Sequence, residues 1–579
     1  MSPRVAAALT LGGTILAAVV LWGTLGQQLD VPTVFGDELI HWDASRSLAA
    51  GDGLRVRESD YGFGPVYPLL LAPVHLLTAD DLDAYRWARF LNAVLFALAA
   101  LPVFLLARRL LPPGWSVACA ALSVAIPSAL YTGFVMTEGA AYVACMLALL
   151  AFARCLERPT VAAQVLALAA LALAAGVRLQ LASLGLAFAA ALLLRGLLSR
   201  GLRLPSRDDL IAFWPLLVIL GGGMVALAVR AALGNPLAGY GDLWRSYDLG
   251  DVGRWTWRAI AGLGLYLALV PLVVAPAVLA ALIREGRQGV RPAAAFVPLF
   301  VCVNVVLLLV VGAFSSTEFG VGFLHDRYLF YVVPLWLVST AVWAERRVPV
   351  RPAGLALGAL LVIAPLATLP TYLLNDDGGR RFDAIAAGLP SQVAELAGLS
   401  EPRRWWLLVA GLLAVALVLL LARRRRWLVL VPVGLVFALD AGFAWDLRIE
   451  AARNVTFAPM SAATTAWVDR AVPEDEPVGV LAGSVSVETR DALRLTEFFN
   501  KSIGTAYDLA GGYAPTLASD AVRIAGGGVV VTDAGEVDAD WIVAPRELEL
   551  AGDVEAEGTV VGLRLWRVQG PLRVVEGRP

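Results

Sequence analysis

Apolar stretches about as long as a bilayer is thick recur about thirteen times in this chain, and no other feature constrains the fold as strongly. A hydrocarbon core of ~30 Å takes roughly 20 apolar residues of helix. Stretches that meet or approach this measure lie near residues 5–26, 87–107, 115–132, 139–154, 161–176, 179–194, 211–233, 259–283, 293–314, 328–344, 353–374, 405–422 and 427–444. Hydrophobic residues make up 59% of the 579 and charged residues 16%, with a mean hydropathy of +0.72. The chain reads as an α-helical polytopic membrane protein of about 13 transmembrane helices. The first stretch exceeds the ~7–15-residue apolar core of a cleavable signal peptide, so it is read as a retained anchor.

The net charge of −2 hides a sorting by side. With the N-terminus in the cytoplasm, the inside loops carry Arg108-Arg109, Arg154 and Arg158, Arg195 to Arg207, Arg284 to Arg291, Arg346 to Arg351 and Arg423 to Arg426, as the positive-inside rule requires. Most acids fall on the opposite side, among them Asp37, Glu38, Asp60, Asp80, Asp81, Glu138, Asp248 and Asp326. Basic charge is almost all arginine, Lys501 being the sole lysine, a usage that suits a GC-rich bacterial genome. An odd span count places everything after Asp446 outside. An even count would reverse this, and the stretches near 115–132, 161–176 and 179–194 are short enough to leave the count open.

Residues 446–579 lose the apolar pattern and are long enough for one small extracytoplasmic domain. Strands are expected near Val478–Leu481, Gly527–Thr532, Trp541–Val543 and Thr559–Arg567, and helices near Ser461–Ala471 and Glu488–Phe499. This predicts a mixed α/β domain without a phosphate loop, nucleophile elbow or metal cluster, suited to an accessory role. The chain thus divides into a membrane domain, 1–445, and a soluble domain, 446–579. Segment 65–77, PVYPLLLAPVHLL, is apolar but too short and proline-rich to span. It is expected at the outer interface, bringing Asp37, Asp60 and His75 toward one region, unless the loop is plain surface.

Cys119, Cys145, Cys155 and Cys302 lie in or beside apolar stretches without metal spacing, so neither disulfides nor zinc are expected. The histidines His41, His75 and His325 are scattered. Asn454 and Asn500 head glycan-acceptor triplets, read here as chance. In the 234–258 loop Tyr240, Trp244, Tyr247, Trp255 and Trp257 stand among acids, a sugar-recognition pattern that an interfacial aromatic belt would share.

Phe35-Gly36-Asp37-Glu38 places two carboxylates just beyond the first span, and Met136-Thr137-Glu138 places another where a later span begins. Acids at these points suit a helix N-terminus as well as a site. Taken with Tyr61-Gly62-Phe63-Gly64-Pro65-Val66-Tyr67-Pro68 and Asp326-Arg327-Tyr328-Leu329, their order and shared outward side resemble the GT-C membrane glycosyltransferases, in the protein-mannosyltransferase and aminoarabinose-transferase branch. The resemblance covers roughly residues 1–345.

The resemblance implies transfer of a sugar from a polyprenyl-phosphate donor to a cell-envelope acceptor, lipid, glycan or protein, at the outer face of a bacterial plasma membrane, with inversion. That chemistry needs a base for the acceptor proton and positive charge for the departing phosphate. Asp37 is the candidate base; Glu38, which must point elsewhere, orients the acceptor or contributes to a metal site, and Glu138 is the second catalytic acid. Arg327, with its planar fork, and Arg178 are the phosphate candidates. His325, Asp60 and His75 complete the substrate-binding set. A divalent cation, Mg2+ or Mn2+, would take Asp37, Asp60 and Glu138 as oxygen ligands; the class varies in metal use, which leaves this open. A transporter should instead show charged or broken helices at mid-membrane, and a noncatalytic envelope scaffold with a glycan-binding C-terminal domain should tolerate loss of Asp37.

Overall fold

The computed structural model describes every residue except 1, 28–35, 58, 79, 200–210, 233–247, 318–322, 375–381, 424, 454–460, 475, 484–485, 510–518, 559–561 and 577–579. Among the described residues seven helices are long and apolar enough to cross a membrane: Arg4–Gln27, Asp81–Ala107, Glu138–Glu157, Leu179–Leu198, Arg291–Ser315, Arg404–Arg423 and Arg426–Asp446. Two bent helix pairs and the shorter apolar helices Val161–Val177, Trp214–Gly223, Phe330–Glu345 and Pro352–Thr368 account for the other expected stretches. The chain is a multi-pass membrane protein.

The helices near 259–283 depart from expectation. In place of one span there are two helices, Leu249–Tyr266 and Val270–Arg287, meeting at 103°. Ala268 and Leu269 form the corner with φ of 55° and 63°, in the left-handed region that a Cβ disfavours. The Leu269 and Val270 amides donate to the Gly264 and Ala268 carbonyls at 2.7 Å each, closing the turn. No glycine or proline marks the corner itself, so hydropathy ran straight through it.

The chain divides into two units. The first comprises Met1–Leu21, Ala93–Leu130 and Glu138–Trp445; the second comprises Trp22–Asn92, Tyr131–Thr137 and Asp446–Pro579. In the first, Arg291–Ser315 packs on Ser183–Ser199 and on Leu249–Tyr266. Small residues set the approach, as is common where helices pack in lipid. A Cβ at Gly312 would lie 2.1 Å from Thr256 Oγ1, and one at Gly358 would lie 2.1 Å from the Val273 carbonyl oxygen.

In the second unit a six-stranded sheet runs in the order Gly552–Glu557, Leu563–Val568, Trp541–Pro545, Val478–Ala482, Ile503–Asp508, Asp520–Ala521. The last four are mutually parallel, and Leu563–Val568 pairs antiparallel to both of its neighbours. Leu481, Val530, Ile542, Trp566 and Leu572 pack into its core. The helix Val487–Phe499 starts at Ser486, whose hydroxyl accepts from the Thr489 amide. The expected helix over 461–471 shrinks to Ala462–Thr465 followed by turns. The soluble part is mixed α/β.

The same unit holds the segment that follows the first span. Helix Gly36–Ala50 packs on Val66–Leu77, whose 12 residues reach only ~18 Å and cannot span. Leu69, Leu76 and Leu77 are exposed on the latter while Tyr67, Leu71 and Val74 are buried, an amphipathic division suited to an interface.

Candidate active site

In the first unit the first turn of helix Glu138–Glu157 places Glu138 at full burial. Its Oε1 accepts from Arg178 Nη1 at 2.6 Å and from Arg327 Nε at 2.5 Å. Arg178 stands where Val161–Val177 ends, with an extended backbone (φ −146°, ψ 113°) that turns the chain into the 3-10 segment Leu179–Ala182. Its Nε donates to Gln180 Oε1 at 2.9 Å. Arg327 sits in the 3-10 turn Asp326–Tyr328. The Tyr328 ring underlies both cations, 4.9 Å from the Arg178 guanidinium carbon and 5.5 Å from that of Arg327, in cation–π range.

Two guanidinium groups meet one carboxylate oxygen in this cluster. Arginines are rarely buried unless paired, and functional assignment is the default reading of such a group at membrane depth. The carboxylate fixes the orientation of both forks, whose planar geometry is the kind that matches a phosphate or carboxylate. Asp326, between His325 and Arg327, faces away: its oxygens accept from the Ile385 amide at 3.1 Å and the Ala386 amide at 2.5 Å. It anchors the 382–387 segment and so the turn that carries Arg327. His325 packs against Phe314 and Tyr328, with ring centroids 5.1 and 5.7 Å away. It also lines a small pocket with Trp255, Ser315, Phe323 and Leu329.

In the second unit Asp37 and Glu38 occupy the first turn of Gly36–Ala50. Their side chains diverge, as adjacent helical positions must. Asp37 is half-buried, whereas Glu38 is fully buried and its Oε1 accepts from the Val135 amide at 2.6 Å. Two neighbouring backbone groups are held in the same manner. Asn92 Nδ2 donates to the Phe134 carbonyl at 2.7 Å, and Arg448 Nη2 donates to that of Gly133. The Arg448 guanidinium lies 4.5 Å from the Phe134 ring centre, and a Cβ on Gly133 would lie 1.7 Å from Arg448 Nη1. Three side chains from distant parts of the sequence thus fix residues 133–135, just ahead of Glu138.

The other expected residues are more dispersed. Asp60 is exposed on a two-residue strand opposite Arg55. His75 Nε2 is 2.8 Å from Ser45 Oγ, and its ring lies 4.4 Å from Trp42. Tyr61, from the Tyr-Gly-Phe-Gly motif, meets His41 Nδ1 at 3.0 Å and donates to the Gly64 carbonyl at 3.2 Å. Phe35 of the opening motif lies outside the described residues, as do Tyr240, Trp244 and Tyr247 of the aromatic loop and the Asn454 triplet. Asn500 is buried, its amide donating to Thr465 and Thr496 and accepting from Val468 and Asp469. It has nothing left to offer a glycan.

Among the described residues no three His, Cys, Asp or Glu side chains gather to hold a metal. Glu138 in particular is poorly placed for a cation, because two guanidinium groups already meet its Oε1.

No family model matches this sequence, and no curated protein sequence does either. Among solved structures, ArnT from Cupriavidus metallidurans bound to undecaprenyl phosphate aligns over 98% of both chains at 15% identity, with a TM-score of 0.50. Its apo form aligns over 97% of this chain and 98% of that one, also at 15% identity, with a TM-score of 0.51. The Archaeoglobus fulgidus oligosaccharyltransferase tethered with an acceptor peptide aligns over 92% of this chain and 69% of that one, at 13% identity and a TM-score of 0.45. The fold is that of the GT-C membrane glycosyltransferases. In the first unit Tyr328 stood in the sequence only as part of a motif, and in the second Asn92, Gly133 and Arg448 were not singled out at all. Arg89, which donates to the Gly26 carbonyl at 2.6 Å, and Asn92 did carry a signal, being polar residues inside an apolar stretch. Arg448 and Gly133 carried none.

Proposed function

We propose that this protein transfers a sugar from a polyprenyl-phosphate donor to a cell-envelope acceptor at the outer face of a bacterial plasma membrane, with its N-terminus in the cytoplasm and its soluble domain outside. The observation that supports this most is the buried Glu138–Arg178–Arg327 cluster, in which one carboxylate oxygen fixes two guanidinium groups. A lipid phosphate at headgroup depth is the anion such a cluster suits, and its departure as the sugar leaves is where fixed positive charge lowers the barrier.

In this reading Arg178 and Arg327 hold the phosphate oxygens, and Glu138 orients both forks without touching the sugar. Asp37 takes the acceptor proton. As the acceptor oxygen bonds to the anomeric carbon, the bond from that carbon to the phosphate oxygen breaks and its electron pair leaves on polyprenyl phosphate, whose charge the arginines meet. Attack from the opposite face inverts the anomeric centre. Glu38, committed to the Val135 amide, positions backbone instead of orienting the acceptor. His325, Asp60 and His75 are assigned to substrate binding in supporting places. A divalent cation, if used, would rest on Asp37 and Asp60 and not on Glu138.

The test incubates the purified chain with a panel of polyprenyl-phosphate sugars and compares it with Asp37→Asn. Transfer by the wild type and a loss of about 100-fold or more in the variant is the expected result for a general base. Equal transfer by both removes Asp37 from that role.

A further inference from the structure

The soluble domain has no chemistry of its own in the reading above, yet within the second unit it grips the helix that carries Asp37. Arg57 and Glu497 are 440 residues apart in sequence and form a buried ion pair, with Arg57 Nη2 2.6 Å and Nε 2.7 Å from Glu497 Oε1 and side-chain exposures of 4% and 1%. Each partner is locally misplaced. Arg57 occupies the hairpin between Arg55–Val56 and Ser59–Asp60 with φ of 52°, a conformation costly for a residue with a Cβ. Glu497 lies in the last turn of Val487–Phe499, where the helix dipole disfavours an acid. Strain of this sort persists where the surroundings over-determine it, and it concentrates at functional points.

The grip continues onto Gly36–Ala50 itself. Trp42, fully buried, stacks on Phe498 with ring centroids 4.6 Å apart at 16°. Tyr85 meets Phe498 and Phe499 edge-on at 5.3 and 6.0 Å. Asp43 pairs with Arg46 at 2.6 Å and lies within electrostatic reach of both Arg57 and Glu497. Trp42 is one helical turn from Glu38, so whatever fixes Trp42 fixes the first turn of that helix.

We infer that Glu497 is a positioning residue for the acid-bearing helix Gly36–Ala50, and that the soluble domain serves transfer by holding this helix through Arg57 and Trp42. This rests on Asp37 acting as the base. Separation of the soluble domain from the loop therefore costs turnover and not donor binding.

The experiment uses the full chain in nanodiscs, as wild type, Glu497→Gln, Phe498→Leu and the reversal Arg57→Glu with Glu497→Arg. Amide hydrogen exchange is read over residues 37–50, with undecaprenyl phosphate binding measured in parallel. Glu497→Gln and Phe498→Leu are each expected to raise exchange over 37–50 by about tenfold while the strand Trp541–Pro545 stays protected. The reversal is expected to recover most of that protection, and undecaprenyl phosphate affinity is expected to stay within about twofold throughout. Phe498→Leu keeps the test available should Glu497→Gln not fold. Unchanged exchange over 37–50 in both single variants overturns the inference, as does a rise spread evenly through the soluble domain. Failure of the wild type to bind undecaprenyl phosphate would instead strike the donor reading, with the exchange result still deciding the grip.

Discussion

Glu138→Gln keeps shape and an acceptor oxygen but removes the negative charge that Arg178 and Arg327 both meet. Both guanidinium groups bond to the same carboxylate oxygen, at 2.6 and 2.5 Å, and all three side chains are at most 9% exposed. Two unit charges 4 Å apart attract by about 4 kcal/mol at an effective dielectric of ~20, and loss of one partner of a buried pair costs about 3–5 kcal/mol. The variant is therefore expected to lose about 3–5 kcal/mol of stability without ligand, measured by thermal unfolding of the purified chain. An anion that occupies the cluster should restore part of this. With undecaprenyl phosphate at ~100 times its Kd, binding adds about 2.7 kcal/mol to the folded state. Because the variant has lost a negative charge that repels the lipid phosphate, its shift on adding the lipid is expected to be the larger of the two. Unliganded stability within ~0.5 kcal/mol of wild type, the range of an ordinary surface change, would refute the reasoning. So would a lipid-induced shift smaller than that of the wild type.

Gly133→Ala forces a methyl group to within 1.7 Å of Arg448 Nη1, so it is expected to lower the midpoint of thermal unfolding by an amount matching about 1–3 kcal/mol of overpacking, and an unchanged midpoint would show that Arg448 yields freely. Glu38→Gln weakens a charge-assisted bond to the Val135 amide and is expected to cost about 1.5–3 kcal/mol in the same assay. Burial pushes the Asp43 carboxyl up to about 6 despite the opposing pull of Arg46. The folded state thus favours the protonated form, and the stability it contributes is present below the ordinary value near 3.8 and lost as pH rises through 6. Asp43→Asn is expected to flatten the wild-type decline in thermal midpoint between about pH 4 and pH 7, worth up to about 3 kcal/mol at 1.36 kcal/mol per pKa unit; identical profiles would contradict this.

The membrane helices were legible because bilayer thickness imposes one length and one composition on any span. The parallel strands Val478–Ala482 and Trp541–Pro545 were legible for a related reason, since burial on both faces leaves an apolar run. Gly552–Glu557 escaped notice because an edge strand with exposed faces needs no hydrophobic pattern, and its sequence GDVEAE has almost none. At the site, Glu138, Arg178 and Arg327 could be named singly from charge at span ends, but not the single carboxylate oxygen that joins them. Asp37 and Glu38 were given different roles by the motif and by their adjacent positions, and burial separates them further. The contacts of Arg448 with Gly133 and of Arg57 with Glu497 link positions hundreds of residues apart, and nothing local in the chain announces such a partner. The segment after the first span and the C-terminal region thus read as separate in sequence, whereas the folded chain places Trp22–Asn92 and Asp446–Pro579 in one compact unit.

The most direct measurement of the central claim is release of polyprenyl phosphate from a panel of polyprenyl-phosphate sugars by the full chain, compared with a variant carrying both Arg178→Gln and Arg327→Gln. The wild type is expected to release it from at least one donor, and the double variant to be slower by about 100-fold or more, the cost of removing preorganised charge from a departing anion. No release from any donor by folded wild-type protein, or equal release by the two proteins, would contradict the account.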